Sequence, residues 1–312
     1  MPEHPGSTVP TGAVATLPEP ATASVPISVR LKAYLSLTKP RIVELVLVTT
    51  VPAMVMAAGG VPHLGLVAVV LVGGSFAAGA ANALNCYLDR DIDEIMRRTS
   101  RRPLPAHAVA PRAALVFGLA LAVASITVMA IWTNWLATGL TAAAIAYYDL
   151  VYTLWLKRRT PHSTFWGGVC GAAPVLIGWA AVTGSLSWAA LVLFGIVFFW
   201  QLPHFYALAI RFADDYARAG VPMLPVTHGK PYTRLQVLLY TIILFAVSLL
   251  PYVVRMSGVL YFVAALALGG VFLGYALRIY LAYSDALARR TFRYSIAYLA
   301  LLFAALLVDH YL

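Results

Sequence analysis

Long apolar runs alternate with short polar stretches along the whole chain. The runs lie near residues 41–60, 66–88, 113–132, 135–156, 164–183, 187–210, 234–254, 258–281 and 292–310. Each approaches the roughly 20 residues that an α-helix needs to cross the hydrocarbon core of a bilayer. The pattern predicts an all-α, polytopic membrane protein with nine transmembrane helices around a central cavity. Gly and Pro interrupt several runs, as packed membrane helices tolerate. A chain 61% hydrophobic and only 11% charged, with mean hydropathy +0.82, excludes an ordinary soluble domain.

The polar stretches set the orientation. When the loops are assigned alternately to the two sides, every Lys and Arg except Arg255 falls on one side. The positive-inside rule makes that side the cytoplasm, with the N-terminus cytoplasmic and the C-terminus outside. The net charge of +10 follows from this bias. The basic residues flank spans and form no continuous soluble surface, so no nucleic acid is expected as a partner. Residues 1–29 are rich in Pro, Ala, Thr and Ser, with Glu3 and Glu19 but no Lys or Arg before Arg30. They match neither an Arg-rich organellar targeting segment nor a secretory signal with a basic start. The expected organisation is a disordered cytoplasmic tail over 1–37 and one membrane domain over 38–312, a multi-pass protein of a bacterial cell inner membrane. Cys86 and Cys170 both fall inside predicted spans, as packing residues.

Acidic residues are scarce, with 12 Asp and Glu in 312 residues, yet Asp89, Asp91, Asp93 and Glu94 crowd the end of the second run. Asn85, Asp89 and Asp93 recur every fourth residue and so share one helical face. Asp89 and Asp93 are then roughly 6 Å apart along the axis. Hard oxygen ligands at that spacing suit Mg²⁺ shared with a diphosphate, with Arg97, Arg98, Arg101 and Arg102 at hand for the free oxygens. Asp91 points nearly the opposite way, towards Arg90 or another loop arginine. The rival is a solvated helix end with ordinary ion pairs. Three polar side chains in register at membrane depth are too costly for that to be preferred.

Two further clusters flank this one. The fourth run ends in Tyr147, Tyr148, Asp149 and Tyr152, then Lys157, Arg158 and Arg159. Tyr148 and Tyr152 can line a cavity near a developing cation, and Lys157 with Arg158 can hold diphosphate oxygens. An interfacial aromatic belt with basic anchors is the competing reading. The sixth run carries Gln201, Pro203, His204, Arg211, Asp214 and Asp215. His204, Arg211 and Asp215 share a face if the helix continues to Asp215. His204 binds substrate, moves a proton or ligates iron, or else is a hydrogen-bonded core residue. Both long cytoplasmic loops begin with acids and end in Pro-rich text, Arg-Pro-Leu-Pro at 102–105 and Pro-Met-Leu-Pro at 222–225. That echo suggests two related halves, with chance similarity as the rival.

Assembled, these residues resemble the UbiA intramembrane prenyltransferase superfamily, whose mark is Asn-x₃-Asp-x₃-Asp on the second helix. Within it the chain is similar to the haem-farnesylating branch. The stretches that carry this are Asn85–Pro105, Leu156–Trp179, Trp200-Gln-Leu-Pro-His-Phe205 and Asp215-Tyr-Ala-Arg-Ala-Gly-Val-Pro-Met-Leu-Pro225. The resemblance implies that Asn85, Asp89 and Asp93 bind a Mg²⁺-diphosphate, with Arg98, Arg102, Lys157 and Arg158 on its oxygens. Tyr148, Tyr152, Gln201, His204, Arg211 and Asp215 become substrate-cavity candidates. It also implies transfer of a farnesyl group from farnesyl diphosphate to a vinyl group of protohaem (haem B, a substrate and not a cofactor), giving haem O. The lipid bilayer is a partner throughout, and haem A synthase or a terminal oxidase assembly would be a protein partner. Arg218 and Ala219 stand where a second Asp-x₃-Asp pattern would need acids, which speaks against a second metal site. Ser163 and His107-Ala108 also depart from the branch. The rivals are a prenyltransferase for an aromatic quinone precursor and, from another class, a proton-coupled transporter.

Overall fold

The computed structural model describes residues 26–312, apart from the side chains of 41–47. Residues 1–25, most of the expected tail, lie outside the described residues. The remainder of that stretch is ordered: Ile27–Thr38 form helix α1, which packs on α3. Pro40 has no N–H to donate, so α1 cannot run through it. The chain turns at Lys39 in the left-handed region (φ 51°) and enters α2 (Pro40–Ala58).

The order continues with α3 (Leu64–Leu88), α4 (Arg90–Ile95), α5 (Pro111–Trp132) and α6 (Trp135–Ala146). α6 passes into a π-helical segment (Tyr147–Leu156) and one turn, α7 (Lys157–Arg159). Then come α8 (Ser163–Thr183), α9 (Trp188–Arg211), α10 (Ala213–Arg218), α11 (Leu224–Thr227), α12 (Gly229–Val253), α13 (Val259–Leu281) and α14 (Asp285–Tyr311). No strand occurs among the described residues, and the fold is all-α.

Among the described residues seven helices, α3, α5, α8, α9, α12, α13 and α14, are long and apolar enough to cross a membrane. The chain is therefore a multi-pass membrane protein. The two other expected spans fall on α2, with its apolar stretch Val48–Ala58, and on α6 with its π-helical continuation. Helix α14 starts at Asp285 and not near 292, because Ser284 caps it by accepting the Leu287 N–H at 3.2 Å. Arg289, Arg290 and Arg293 thus sit on helical turns and not in a loop.

Neighbouring helices close a ring: α3 packs on α5, α5 on α6, α6 on α8, α8 on α9, α9 on α12, α12 on α13, α13 on α14, α14 on α2, and α2 on α3. The largest apolar core lies among α8, α9, α12, α13 and α14, around Trp200, Tyr206, Phe272, Tyr298 and Phe303. Two junctions share one construction. Helices α3 and α9 each give way, after a single residue, to a six-residue helix carrying acids in its first turn. Ile92 and Met96 of the first junction pack with Val221 and Met223 beyond the second. This small cluster joins the two loops at one end of the bundle.

Candidate active site

At that end the chain gathers its buried charge. Asp89 interrupts the helix between α3 and α4 (φ −93°, ψ 6°). The four-residue step survives the break, because the Asp89 N–H donates to Asn85 O at 2.9 Å and the Asp93 N–H to Asp89 O at 2.8 Å. Asn85, Asp89 and Asp93 are 4%, 0% and 2% exposed, a degree of burial a solvated helix end would not show.

Burying carboxylates requires compensating charge, and two other elements supply it. Lys157 in α7 donates to Asp89 Oδ2 at 2.5 Å, and Arg102 in the loop after α4 donates to Asp93 Oδ2 at 2.6 Å. Asn85 donates to Asp89 Oδ2 at 2.8 Å and to Thr153 Oγ1 at 3.2 Å, and its own Oδ1 accepts from Lys39 Nζ at 3.1 Å. Thr99 Oγ1 donates to the Asp93 carbonyl at 3.1 Å and holds the loop against α4. One oxygen, Asp89 Oδ1, is buried without a hydrogen-bond partner, with the Arg158 guanidinium 3.9 Å away. Lys39 also borders a cavity of about 550 Å³, together with Lys32, Cys86 and Arg102. Burial pushes its ammonium down to about 8.

The remaining candidates separate. Arg158 engages Asp91 through two nitrogens at 2.7 and 2.8 Å. This guanidinium pair holds the Asp91 carboxyl below its ordinary range. Arg90 instead donates to Tyr87 O at 2.8 Å and lies over the Tyr87 ring. Arg98 is exposed, with its guanidinium over Phe212. Tyr148 and Tyr152 pair at a ring separation of 5.3 Å.

The expected common face of His204, Arg211 and Asp215 does not form, because α9 stops at Arg211 and α10 restarts after Phe212. His204 is buried in the core against α14, with Nδ1 2.6 Å from Ser295 Oγ and its ring between Trp200 and Phe292 at 4.6 and 4.3 Å. Gln201 donates to Gly168 O at 3.0 Å and faces α8. Arg211 is exposed and lies over Phe212. Asp215 ties the two loops together. Its oxygens accept the Arg97 and Arg98 backbone N–H groups, each at 3.1 Å, and it pairs with Arg218. Burial opposes its charge, but those donors and the Arg218 guanidinium outweigh burial and keep the carboxyl below its usual range.

In the sequence Lys39 is one of the basic residues that set the orientation, and Thr153 carries no role. Lys39 lies far from Asn85 in sequence and reaches it through the left-handed turn before Pro40. The signal for Thr153 was available: it precedes Lys157 by one turn, as Asn85 precedes Asp89.

Hard oxygen donors, two of them carboxylates, face basic side chains in a buried setting, and one carboxylate oxygen is unsatisfied. The donor set fits Mg²⁺. Among the described residues no group of three or more His, Cys, Asp or Glu converges as a metal cage. Mg²⁺ ordinarily keeps few protein ligands and takes others from water or substrate phosphates.

Comparison with known proteins places this architecture. The UbiA prenyltransferase family model matches residues 46–306, and the chain belongs to that family of membrane prenyl-transferring enzymes. It is 59% identical over 281 residues to a protoheme IX farnesyltransferase of Salinispora tropica, covering 89% of this chain and 88% of the relative. A protoheme IX farnesyltransferase of Aromatoleum aromaticum is 53% identical over 284 residues, 91% of this chain and 93% of that one. Among solved structures, a digeranylgeranylglyceryl phosphate synthase superposes with TM-score 0.74 at 17% identity, over 90% of this chain and 98% of the other. A UbiA homolog from Archaeoglobus fulgidus bound to GPP and Mg²⁺ superposes with TM-score 0.58 at 18% identity, over 88% and 99% of the two chains. At such identities the structural likeness concerns the fold.

Proposed function

We propose that this chain transfers a farnesyl group from farnesyl diphosphate to a vinyl group of protohaem, giving haem O, at the inner membrane of a bacterium. The observation that carries the chemistry is the buried row Asn85, Asp89 and Asp93 facing Lys157 and Arg102. The acceptor rests on the high identity to relatives named for protohaem farnesylation. The prenyl diphosphate and Mg²⁺ in the Archaeoglobus homolog support the donor side.

Mg²⁺, when bound, supplies Lewis-acid stabilisation of the charge that builds on the departing diphosphate. Asn85, Asp89 and Asp93 would hold it. Lys157 and Arg102 now neutralise the carboxylates, and Arg158 is held by Asp91. A diphosphate offers all three cations new oxygens and releases Asp89 and Asp93 for the metal. Preorganised cations at the point where negative charge develops lower the barrier to ionisation. The apolar helices behind the site keep bulk water from the allylic cation. In the same reading nine helical passes leave the N-terminus, α4 and α10 on the cytoplasmic side.

The acceptor is tested with purified protein, Mg²⁺ and farnesyl diphosphate, offering haem B and an aromatic quinone precursor in parallel and identifying products by mass spectrometry. A hydroxyethylfarnesyl haem is expected. Prenylation of the aromatic ring with haem untouched would replace the acceptor.

A further inference from the structure

Asp149 has no role in the ionisation just described, and its setting is unusual. It is 4% exposed, and both of its carboxylate oxygens are buried without a hydrogen-bond partner. A carboxylate at membrane depth is costly and ordinarily paired. Asp89 and Asp93 obey that rule, and Asp149 does not. It also stands in the π-helical segment Tyr147–Leu156, a backbone form that is rare and concentrated at functional sites.

The register of two parallel segments fixes its level. Lys157 meets Asp89 and Thr153 meets Asn85, each pair separated by the same 68 residues. One turn earlier, that offset brings Asp149 level with Ala81, which has no polar side chain to offer. Asp149 therefore lies four residues beyond the Asn85–Thr153 contact, on the side away from Lys157. The reacting carbon of a prenyl diphosphate is bonded to the leaving oxygen, so the new carbon–carbon bond forms on this inner side of the site.

We infer that Asp149 is the base that takes the proton from the water added to the prenylated vinyl group. The inference rests on the haem reading above. The C1–O bond of farnesyl diphosphate breaks, and its electron pair leaves with diphosphate. The terminal vinyl carbon bonds to C1 with the π pair, which leaves a cation on the carbon next to the porphyrin ring. Water adds through oxygen to that carbon, and its proton passes to the Asp149 carboxylate. When Asp149 does not draw the water in and take its proton, solvent water takes a proton from the adjacent methylene instead, and the product is an alkene.

The test compares full-length wild type with Asp149→Asn and Asp149→Glu in detergent, with farnesyl diphosphate, haem B and Mg²⁺. Expected for Asp149→Asn is a fall of about 100-fold in hydrated product, a new haem product lighter by one water, and an unchanged KM for farnesyl diphosphate. Glu should restore part of the hydrated product. Because the carboxylate has no partner to lose, Asp149→Asn should melt no lower than wild type. Hydrated product at the wild-type rate would overturn the assignment, as would a loss of folding or a raised KM, either of which makes Asp149 structural or part of the diphosphate site. Wild type that makes no prenylated haem at all would instead remove the acceptor reading on which the inference stands.

Discussion

At the scale of single residues, the site is a balance of buried charges. Lys157 neutralises Asp89 in the structure and is proposed to move to diphosphate oxygens in the complex. Lys157→Ala should raise the KM for farnesyl diphosphate. It should also lower stability by about 3 kcal/mol, since it strips a buried carboxylate of its closest cation. An unchanged KM would leave Lys157 as a topology anchor. Asp215 belongs to the loop scaffold, and its carboxyl is held below the ordinary Asp value. Its contribution to stability is complete above the unfolded pKa of about 4 and disappears as the pH falls through the folded value. Asp215→Asn should therefore melt below wild type at pH 7, with the gap closing under acid. A gap of constant size across that range would mean that the contribution is not charge-dependent.

Which site residues could be read from the sequence follows from what holds them. Asn85, Asp89 and Asp93 were legible because a four-residue step keeps them in line even across the break at Asp89. Lys39 was not, since its reach to Asn85 depends on a turn of left-handed backbone and a contact across two helices. His204, Arg211 and Asp215 looked collinear only for an unbroken helix. The stop at Phe212 sends them to α14, to the surface and to the loop of the first junction.

At the scale of elements, the runs of apolar residues located most of the long helices within a few residues, the starts of α12 and α14 excepted, because burial in lipid demands continuous backbone pairing. The π-helical segment left no such signal, since its composition suits an α-helix equally well. Helix α8 packs closely against it. A Cβ on Gly167 of α8 would lie 2.7 Å from the Tyr152 ring. Gly167→Ala should cost about 1–3 kcal/mol and displace the Tyr148–Tyr152 pair, lowering the melting temperature and raising the KM for the prenyl donor together. Gly269→Ala is the control: its Cβ would strike Phe245 in the α12–α13 contact, so the melting temperature should fall with the KM unchanged. Equal KM in both variants would mean that the tyrosine pair does not line the donor site.

At the scale of the whole molecule, the ring of helices brings the two acidic junctions to one end, and the small cluster around Ile92 and Met223 couples them. The positive-inside reading of Lys and Arg proposes that end as the cytoplasmic one. A single Cys placed at Ser100 in a background free of Cys86 and Cys170 should therefore react with a membrane-impermeant thiol reagent only in inside-out vesicles. Labelling in intact cells would invert the orientation. The central claim is that the Asn85–Asp89–Asp93 row, with its facing cations, ionises a Mg²⁺-bound prenyl diphosphate. Diphosphate release from farnesyl diphosphate by the purified protein tests it most directly. Release should require Mg²⁺, stop on chelation, and be abolished in Asp89→Ala and in Asp93→Ala, both of which still insert in the membrane. Wild-type release from either variant, or release indifferent to chelation, would contradict it.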